Sequence, residues 1–315
     1  MTTSSGTGRI VLAVPEVGST VVVVTWKGAE HITACLDAVA AQTRPHRTLV
    51  IDNGSGDGTS ALLLAHPSHP EVLRPPRNLG YAGALDAALS IVDTTFMAWL
   101  NDDAAPDPSW LGTLEDAIGP AAAAGARLDR PDGSTQSLGV RLTADGYGAD
   151  TTTVPVFGFC GGAALLRTDV LRAVGGVPAG FFCYYEDTDT AWRLRLAGHD
   201  VVSVPAARVT HRHGASTNPG SPLFHLWNER NRLLTLLRCA PGRVAVLELA
   251  RFAAITALLP VRRNVPDTPN FQVRLRLRVL GEVAVRLAAT LRERRAISRR
   301  STVGRGQIWR NWTPR

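Results

Sequence analysis

Several features that identify common protein classes are scarce in this 315-residue chain. Its four cysteines lack the short spacing of metal ligands, so we predict reduced thiols packed in the interior. No secretion signal is visible, because the polar residues 1–8 and the short apolar run 21–24 do not form one. We therefore expect a cytoplasmic protein that begins with a flexible leader over residues 1–19.

Long hydrophobic runs and internal repeats are lacking too. The most apolar helical stretch, 244–259, contains Glu248 and Arg251, and we expect it to be too short and too charged to span a membrane. A hydrophobic share of 45% and a charged share of 19% are those of a globular protein. The length suits one large α/β domain with an appendage, or two modest domains.

Lysine is nearly absent, since Lys27 is the only one, and arginine carries the positive charge. The net charge of +7 is uneven: residues 262–315 hold 14 arginines and three acidic residues, whereas residues 1–261 carry a net −4. A basic tail indicates an anionic partner. Phospholipid headgroups, a lipid pyrophosphate and nucleic acid all stay open at this point.

The first hundred residues alternate between strand and helix patterns. Apolar runs at 20–25, 48–52 and 96–100 are typical of strands buried on both faces of a parallel sheet. The stretches between them have helical spacing, as in 29–42. Such βαβ units predict an α/β fold that binds its ligands at the carboxyl ends of the strands. Asp52 and the group Asn101–Asp103 stand at two such ends.

Another polar group follows the aromatic run Phe181–Tyr185 and opens an amphipathic helix: Glu186, Asp187 and Asp189. Crowded carboxylates repel one another and aromatic neighbours desolvate them. Both effects raise a carboxyl pKa and suit one of the group to proton abstraction. An acidic helix start, favoured by the helix dipole, is the alternative interpretation of these residues alone.

The remaining segments are less regular. Residues 119–153 are rich in Gly, Ala, Asp and Thr, which predicts a surface excursion with a hairpin tip at 132–133. Residues 223–260 have a helical pattern. The stretch from Phe271 alternates like a strand at first, but its length and later spacing favour a basic amphipathic helix. Such a helix lies on an anionic membrane or packs on its own domain with a solvated arginine face.

Taken together, the ordered motifs resemble the family 2 glycosyltransferases of the GT-A fold, and within them bacterial rhamnosyltransferases that act on lipid-linked cell-envelope sugars. The resemblance covers about residues 20–240 and is carried by VVVTW at 22–26, IDNGSGDGT at 51–59, NLGYAG at 78–83, LNDDA at 100–104, EDTD at 186–189 and HRHGAS at 211–216. It implies a Rossmann-like, mostly parallel central sheet flanked by helices over 20–240, followed by a helical, arginine-rich extension over 241–315.

The resemblance also implies an inverting transfer that depends on Mg2+ or Mn2+. Asp103 would be the main metal ligand, with Asn101 in a position where the family has aspartate. His211 would complete the metal site, with His213 as its rival. The family's general base would be Asp187 here, and Glu186 would hold the acceptor or tune Asp187. Asp189 would cap the helix or pair with Arg193.

A donor site is implied by the same resemblance, with dTDP-rhamnose as the leading donor. Asp52 would accept a hydrogen bond from the base, and Asp102 would contact the ribose or the sugar. The glycine pair 161–162 would let the backbone approach the sugar closely, and Arg230 would reach the diphosphate. The full predicted donor set is Thr25, Asp52, Asn78, Gly80, Asp102, Gly161, Gly162 and Arg230.

The implied acceptor is a glycan or a polyprenyl-diphosphate-linked sugar, and the tail over 262–315 would hold the enzyme on the inner face of the cell membrane. Two other functions stay open. A nucleotidyltransferase shares the sheet, although residues 25–28 are a poor version of its signature. A non-catalytic binder of nucleotide sugars or nucleic acid is the second, although the tail has no nucleic-acid motif and we expect no such partner. A homo-oligomer is also left open.

Overall fold

The computed structural model describes residues 17–212 and 220–314, and strands alternate with helices through its first half as the sequence predicts. The strands are β1 (Ser19–Thr25), β2 (His46–Asp52), β3 (Glu71–Leu73), β4 (Phe96–Asn101), β5 (Ala104–Pro106), β6 (Ala123–Asp129), β7 (Thr135–Ser137), β8 (Gly139–Leu142), β9 (Gly148–Thr151), β10 (Ala163–Arg167) and β11 (Val201–His211). The helices are α1 (Ile32–Ala40), α2 (Thr59–Ala65), α3 (Gly80–Leu89), α4 (Trp110–Ala117), α5 (Thr168–Ala173), α6 (Glu186–Leu196), α7 (Pro222–Cys239), α8 (Gly242–Leu258), α9 (Val273–Arg300) and α10 (Arg305–Trp312).

Within the described residues, nine strands form one sheet in the order β3-β2-β1-β4-β10-β6-β11-β5, with β7 paired to β6. Strands β3, β2, β1 and β4 are parallel, and β10 enters antiparallel between β4 and β6. Thr25 is therefore paired with Asp52, and Val24 with Asn101. The carboxyl ends of three neighbouring strands thus bring the predicted polar residues to one edge of the sheet.

Strand β1 lies between two layers of core. Val22 and Val24 belong to one hydrophobic cluster, and Val21 and Val23 to the other. A strand whose successive side chains all face protein has no need to alternate apolar with polar residues. This explains the unbroken β-branched run that marked the strand in the sequence.

The prediction of a surface excursion over 119–153 was wrong for its first part. Strand β6 is buried in the middle of the sheet, paired with β10 and β11. Its alanines and glycine have low strand propensity, so the pattern did not indicate a strand. The packing demands small residues, because a Cβ added to Gly125 would lie 3.1 Å from Phe159 Cβ. The hairpin tip at 132–133 is confirmed, with Gly133 at a φ of +83°.

The C-terminal helices pack against the rest of the chain. Helix α9 confirms the helical prediction and lies along α7, where Leu275, Val279 and Val283 join the core cluster that contains Leu233. Helix α10 adds Trp309, which stacks on Trp192 with ring centroids 6.1 Å apart. One face of the arginine-rich tail is thus used for packing within the chain.

Helix α8 differs from the expectation for 244–259. With its following turn it spans Gly242–Val261, which is 20 residues with a mean hydropathy of 1.9. By length and composition alone this stretch could cross a membrane. Only 22% of that stretch is buried. The prediction that this segment is too short was therefore wrong.

Two predictions fall at the edges of the described residues. Most of the leader predicted over 1–19 precedes residue 17, and β1 already begins at Ser19. His213, the rival of His211, lies outside the described residues.

Candidate active site

A cleft of about 220 Å³ opens at the carboxyl ends of β1 and β4. Eight residues singled out in the sequence line it: Asn101, Asp102, Asp103, Gly161, Gly162, Glu186, Asp187 and His211. Residues from four distant stretches of the chain thus meet in one cleft that combines acidic, amide and imidazole groups.

Three side chains at one end of the cleft form a polar cluster. His211 Nε2 lies 3.1 Å from Asp103 Oδ1 and 3.2 Å from Asn101 Nδ2. Asp103 and His211 are buried, and apart from this contact with His211 the oxygen Asp103 Oδ1 has no hydrogen-bond partner among the described residues. A rotation of the Asn101 amide would turn its oxygen toward the cluster, since amide orientation is assigned from hydrogen bonding.

This cluster fits a divalent cation. Carboxylate and amide oxygens suit Mg2+ or Mn2+, and a neutral imidazole is a competent further ligand. The other ring nitrogen, His211 Nδ1, lies 3.1 Å from Gln136 Oε1, so a proton on Nδ1 leaves Nε2 available. Among the described residues no three His, Cys, Asp or Glu side chains form a metal site, because the third member here is Asn101.

At the other end, Glu186 and Asp187 begin α6, and Glu186 is buried whereas Asp187 is partly exposed to the cleft. Asp187 Oδ2 accepts from Gly161 N at 3.0 Å, and Asp187 Oδ1 accepts from Thr188 N at 2.5 Å. Burial raises the pKa of Asp187, and these hydrogen bonds oppose the rise. Burial, helped by the charge of Asp187, raises the pKa of Glu186 to about 8. The N–H groups that bind both oxygens of Asp187 favour its ionised form, and the burial of Glu186 favours the protonated form of that side chain.

The segment before these carboxyl groups has an unusual backbone. Phe182, Tyr184 and Tyr185 have φ angles of 67°, 69° and 70°, in the left-handed region that residues with a Cβ seldom occupy. Each such residue costs about 1–3 kcal/mol unless its surroundings impose it. Asp187 thus stands close to the end of a backbone segment that the rest of the fold must hold in place.

The side-chain amide of Asn231 in α7 binds this segment and helps to hold it in place. Its Nδ2 lies 3.1 Å from Phe181 O, 2.8 Å from Cys183 O and 2.8 Å from Tyr184 O. We call this set of contacts the Asn231 clamp. From the opposite side, Ala82 N of α3 donates to Phe182 O at 3.1 Å. Asn231 was not predicted as a functional residue, and its position beside Arg230 was the only feature of the sequence that pointed to it.

Arg230 was predicted to reach the diphosphate, but it does not line the cleft. It is buried, its Nη1 pairs with Glu282 Oε2 at 2.8 Å, and its Nε donates to Asn231 Oδ1 at 2.8 Å. Its Nη2 donates to Phe181 O. In this structure the guanidinium supports the Asn231 clamp and links it to α9.

Four other predicted donor residues also lie outside the lining of the cleft. Asp52 is fully buried and accepts from Ser55 N and Ser60 Oγ, so contact with a base would require its turn to open. Asn78 Oδ1 accepts from Gly80 N at 2.7 Å. The remaining two are Gly80 and Thr25, which contact Phe182 and Asp102.

Gly80 has a φ of +72°, and a Cβ there would collide with Phe182 O, so this glycine allows α3 to approach the strained segment. Thr25 Oγ1 donates to Asp102 Oδ2 at 2.6 Å. Burial raises the pKa of Asp102 to about 6, against the effect of the Thr25 hydrogen bond. Asp102 itself lines the cleft.

The cleft also contains residues that the sequence analysis did not assign. Tyr81 Oη donates to Gly161 O at 2.6 Å, and its place in the NLGYAG motif could have indicated it. Gln136 and Asp150 come from the part of the chain interpreted as an excursion. Of the aromatic run Phe181–Tyr185, Tyr184 lines the cleft, whereas Phe181 and Tyr185 are buried in the core.

A larger cavity of about 420 Å³ lies between α9 and residues 174–181. Its buried arginines, Arg193 and Arg238, are paired with Asp189 and Glu293. The pairing of Asp189 with Arg193 is the one that the sequence suggested. These charges neutralise one another, so the smaller cleft is the candidate active site.

Comparison with known proteins gives a consistent result. The model of Glycosyl transferase family 2 matches residues 20–175. The chain is 28% identical over 244 residues to the N-acetylglucosaminyl-diphospho-decaprenol L-rhamnosyltransferase of Mycobacterium tuberculosis, a match that covers 65% of this chain and 79% of that protein.

Solved structures agree on the fold. GalNAc-T7 with UDP, GalNAc and Mn2+ has a TM-score of 0.61 at 13% identity, covering 87% of this chain and 57% of that one. The mannosyltransferase PcManGT of Pyrobaculum calidifontis, with GDP-Man and Mn2+, has a TM-score of 0.52 at 19% identity, covering 86% and 75%. At these identities the likeness supports a GT-A-like α/β fold and no more.

Proposed function

We propose that the chain, whose residues 20–175 match the model of Glycosyl transferase family 2, is a glycosyltransferase that moves rhamnose from dTDP-rhamnose to a hydroxyl of a polyprenyl-diphosphate-linked glycan. The observation that carries the proposal is the single cleft that joins Asp187, whose two oxygens accept from N–H groups, to the cluster of Asn101, Asp103 and His211. The name of the mycobacterial relative supports the choice of donor sugar and acceptor class.

In the proposed mechanism Asp187 takes the proton of the acceptor hydroxyl. The hydroxyl oxygen forms a bond to the anomeric carbon as the bond from that carbon to the diphosphate oxygen breaks, and the nucleoside diphosphate leaves with the electron pair. Displacement from the opposite face inverts the anomeric configuration. Gly161 N orients Asp187, and protonated Glu186 is placed to donate a hydrogen bond to the acceptor.

The leaving diphosphate needs compensation of its charge. Asp103, Asn101 and His211 would hold Mg2+ or Mn2+, and the bound ion would neutralise charge on the diphosphate. Asp102 would contact the ribose or the sugar from the same edge of the sheet. Because Arg230 is already engaged by its own chain, we do not assign it a role in donor binding.

A lipid-linked acceptor would place the enzyme on the inner face of a membrane, as a peripheral protein. The donor is a small molecule bound in the cleft, whereas the acceptor is presented by the lipid surface.

A product assay with the purified protein tests the reaction class. We expect release of nucleoside diphosphate that requires acceptor and Mg2+ or Mn2+ and stops with a chelator. Release of pyrophosphate would instead identify a nucleotidyltransferase, and tight retention of nucleotide sugar or RNA without turnover would identify a binder. A panel of sugar nucleotides, screened with Mn2+ for thermal stabilisation, names the donor, since a ligand of the native state raises apparent stability.

Asp187→Asn tests the assignment of the base. We expect transfer to fall by about 10²–10⁴-fold, the usual contribution of a general base, with metal-dependent donor binding nearly unchanged. Turnover close to wild type in this variant would overturn the assignment. Asp169→Asn, an acidic residue in the first turn of α5, is the matched control and should leave turnover unchanged.

A further inference from the structure

Helix α8 presents an apolar face that no described part of the chain covers. Four large side chains are exposed on it: Val246 by 64%, Leu247 by 65%, Leu258 by 50% and, in the turn that follows, Val261 by 77%. Exposed alanines at 250, 254 and 257 fill the intervals. The spacing of three and four residues puts these groups on one side of the helix.

The opposite face attaches α8 to the fold. Ala245, Phe252 and Thr256 are buried there. Arg276 of α9 donates to Thr256 Oγ1 at 2.9 Å and to Phe252 O at 3.1 Å. Arg232 of α7 pairs with Glu248 at 3.2 Å. The helix is therefore fixed along its length, with its apolar side outward.

Unpaired positive charge flanks both ends of this face. Arg243 stands at the start of α8, and Arg262 and Arg263 follow its last turn. All three are exposed, and among the described residues none has a carboxylate within ion-pair distance. Most tail arginines near the core are by contrast bound to carboxylates or carbonyls, as Arg276 and Arg294 are.

We propose that α8 lies in the plane of an anionic lipid bilayer, with its apolar face among the acyl chains and Arg243, Arg262 and Arg263 on the headgroup phosphates. The inference rests on the proposed function and deepens it, because it names the surface that brings the enzyme to a lipid-linked acceptor. The sequence predicted that the whole tail over 262–315 contacts the membrane, whereas the proposed contact is α8 with its flanking arginines.

The contacts that hold α8 to α7 and α9 disfavour a transmembrane arrangement of this helix. Crossing the bilayer would break the bonds from Arg276 and Arg232 and would carry Glu248 and Arg251 into hydrocarbon. Pairing with a second copy of the chain is disfavoured by charge. A two-fold contact through this face would bring three unpaired arginines toward three more.

Co-sedimentation of the full-length protein with vesicles tests the surface, in the absence of donor and acceptor. We expect strong partition into phosphatidylglycerol–phosphatidylcholine vesicles, weaker partition into phosphatidylcholine alone, and at least a tenfold loss for Leu247→Ser/Leu258→Ser. Leu64→Ser/Ile91→Ser is the matched control, since Leu64 and Ile91 are exposed by 81% and 46% on other elements. It should bind like wild type.

Charge variants complete the test. Arg262→Gln/Arg263→Gln should weaken binding to anionic vesicles, and the loss should shrink in high salt, which screens exposed charges. Arg130→Gln/Arg141→Gln has the same net charge and should bind like wild type. A circular dichroism melt of each variant confirms that it is folded.

Equal partition of wild type and Leu247→Ser/Leu258→Ser would overturn the proposal. A dimer in solution that those serines dissociate would overturn it in favour of self-association. Because vesicle binding is measured without turnover, the two proposals fail separately. Protein that binds vesicles but releases no nucleoside diphosphate refutes the proposed function and leaves the lipid surface standing.

Discussion

At the scale of single residues, the two neighbouring carboxyl groups of the cleft differ in their hydrogen bonds. Both oxygens of Asp187 accept from N–H groups, whereas Glu186 Oε2 is buried without a hydrogen-bond partner among the described residues. Hydrogen bonds to the charged form stabilise it, so they favour a charged Asp187 beside a neutral Glu186. In the proposed mechanism this difference gives Asp187 the role of base and Glu186 that of hydrogen-bond donor.

Glu186→Gln tests this division through the pH profile. The raised pKa of Glu186 means that its neutral form prevails below about pH 8 and is lost above it. We expect wild-type kcat/KM to fall about tenfold one pH unit above that value. Glu186→Gln stays neutral and should keep its activity there, while the acidic limb set by Asp187 is retained in both proteins.

The stability of the same variant gives an independent readout. The folded state binds the Glu186 proton more tightly than the unfolded chain, so the free energy of unfolding falls as pH rises from about 4.3 toward 8. Glu186→Gln lacks this group and should lose less stability between pH 5.5 and 8.5 in thermal denaturation. Parallel curves for the two proteins would contradict the raised pKa.

At the scale of elements, the strained segment before α6 depends on α7. The Asn231 clamp holds the carbonyl groups of Phe181, Cys183 and Tyr184. Arg230 supports the clamp and is itself paired with Glu282 of α9. The clamp touches no reacting atom, so Asn231 is a positioning residue. Its effect should reach the reaction through the placement of Asp187, since small displacements of reacting groups reduce rates steeply.

Asn231→Asp keeps the shape of the side chain but removes its N–H donors. We expect kcat to fall by about 10²-fold with the donor KM changed by less than about twofold. Asn228→Asp on the same helix is the control, because Asn228 Nδ2 donates to Phe224 O and, within residues 17–212 and 220–314, to no other group. Unchanged kcat in Asn231→Asp, or an equal loss of donor binding and thermal stability, would contradict a positioning role.

At the scale of the whole molecule, the arginine-rich extension is part of the folded structure. Asp189 of α6 is fully buried and pairs with Arg193 at 2.6 Å and with Arg238 of α7 at 2.8 Å. Arg238 also pairs with Glu293 of α9. These ion pairs connect α6, which begins at Glu186 and Asp187, through α7 to α9 of the extension. We propose that residues 241–315 fold together with the part of the chain over 20–240.

Asp189→Ala measures how much this network of ion pairs contributes to the free energy of unfolding. Removing one partner leaves buried guanidinium groups uncompensated, so we expect the free energy of unfolding to fall by about 3–5 kcal/mol. Asp93→Ala breaks the exposed pair with Arg47 and should cost no more than about 1 kcal/mol. Urea denaturation of both variants makes the comparison, and equal losses would refute the role of the network.

The sequence by itself determined the α/β alternation, the strand ends that carry Asn101–Asp103, and the helix start at Glu186–Asp187. These features depend on local periodicity and on motifs that are short in sequence. Tertiary structure decided the rest. It placed the alanine-rich β6 in the centre of the sheet, because small residues fit where Phe159 crosses.

Contacts between distant residues also decided which predicted residues face the cleft. Asp52 and Arg230 had suitable chemistry for a donor, yet their polar atoms are satisfied within the chain. Gln136 and Asp150 carried no local signal, and Asn231 had only its position beside Arg230. The roles of these residues come from partners 47 to 75 positions away or from a cleft formed by several strands. Residue type indicates what a side chain can do, and the partners available in the folded chain decide whether it does so.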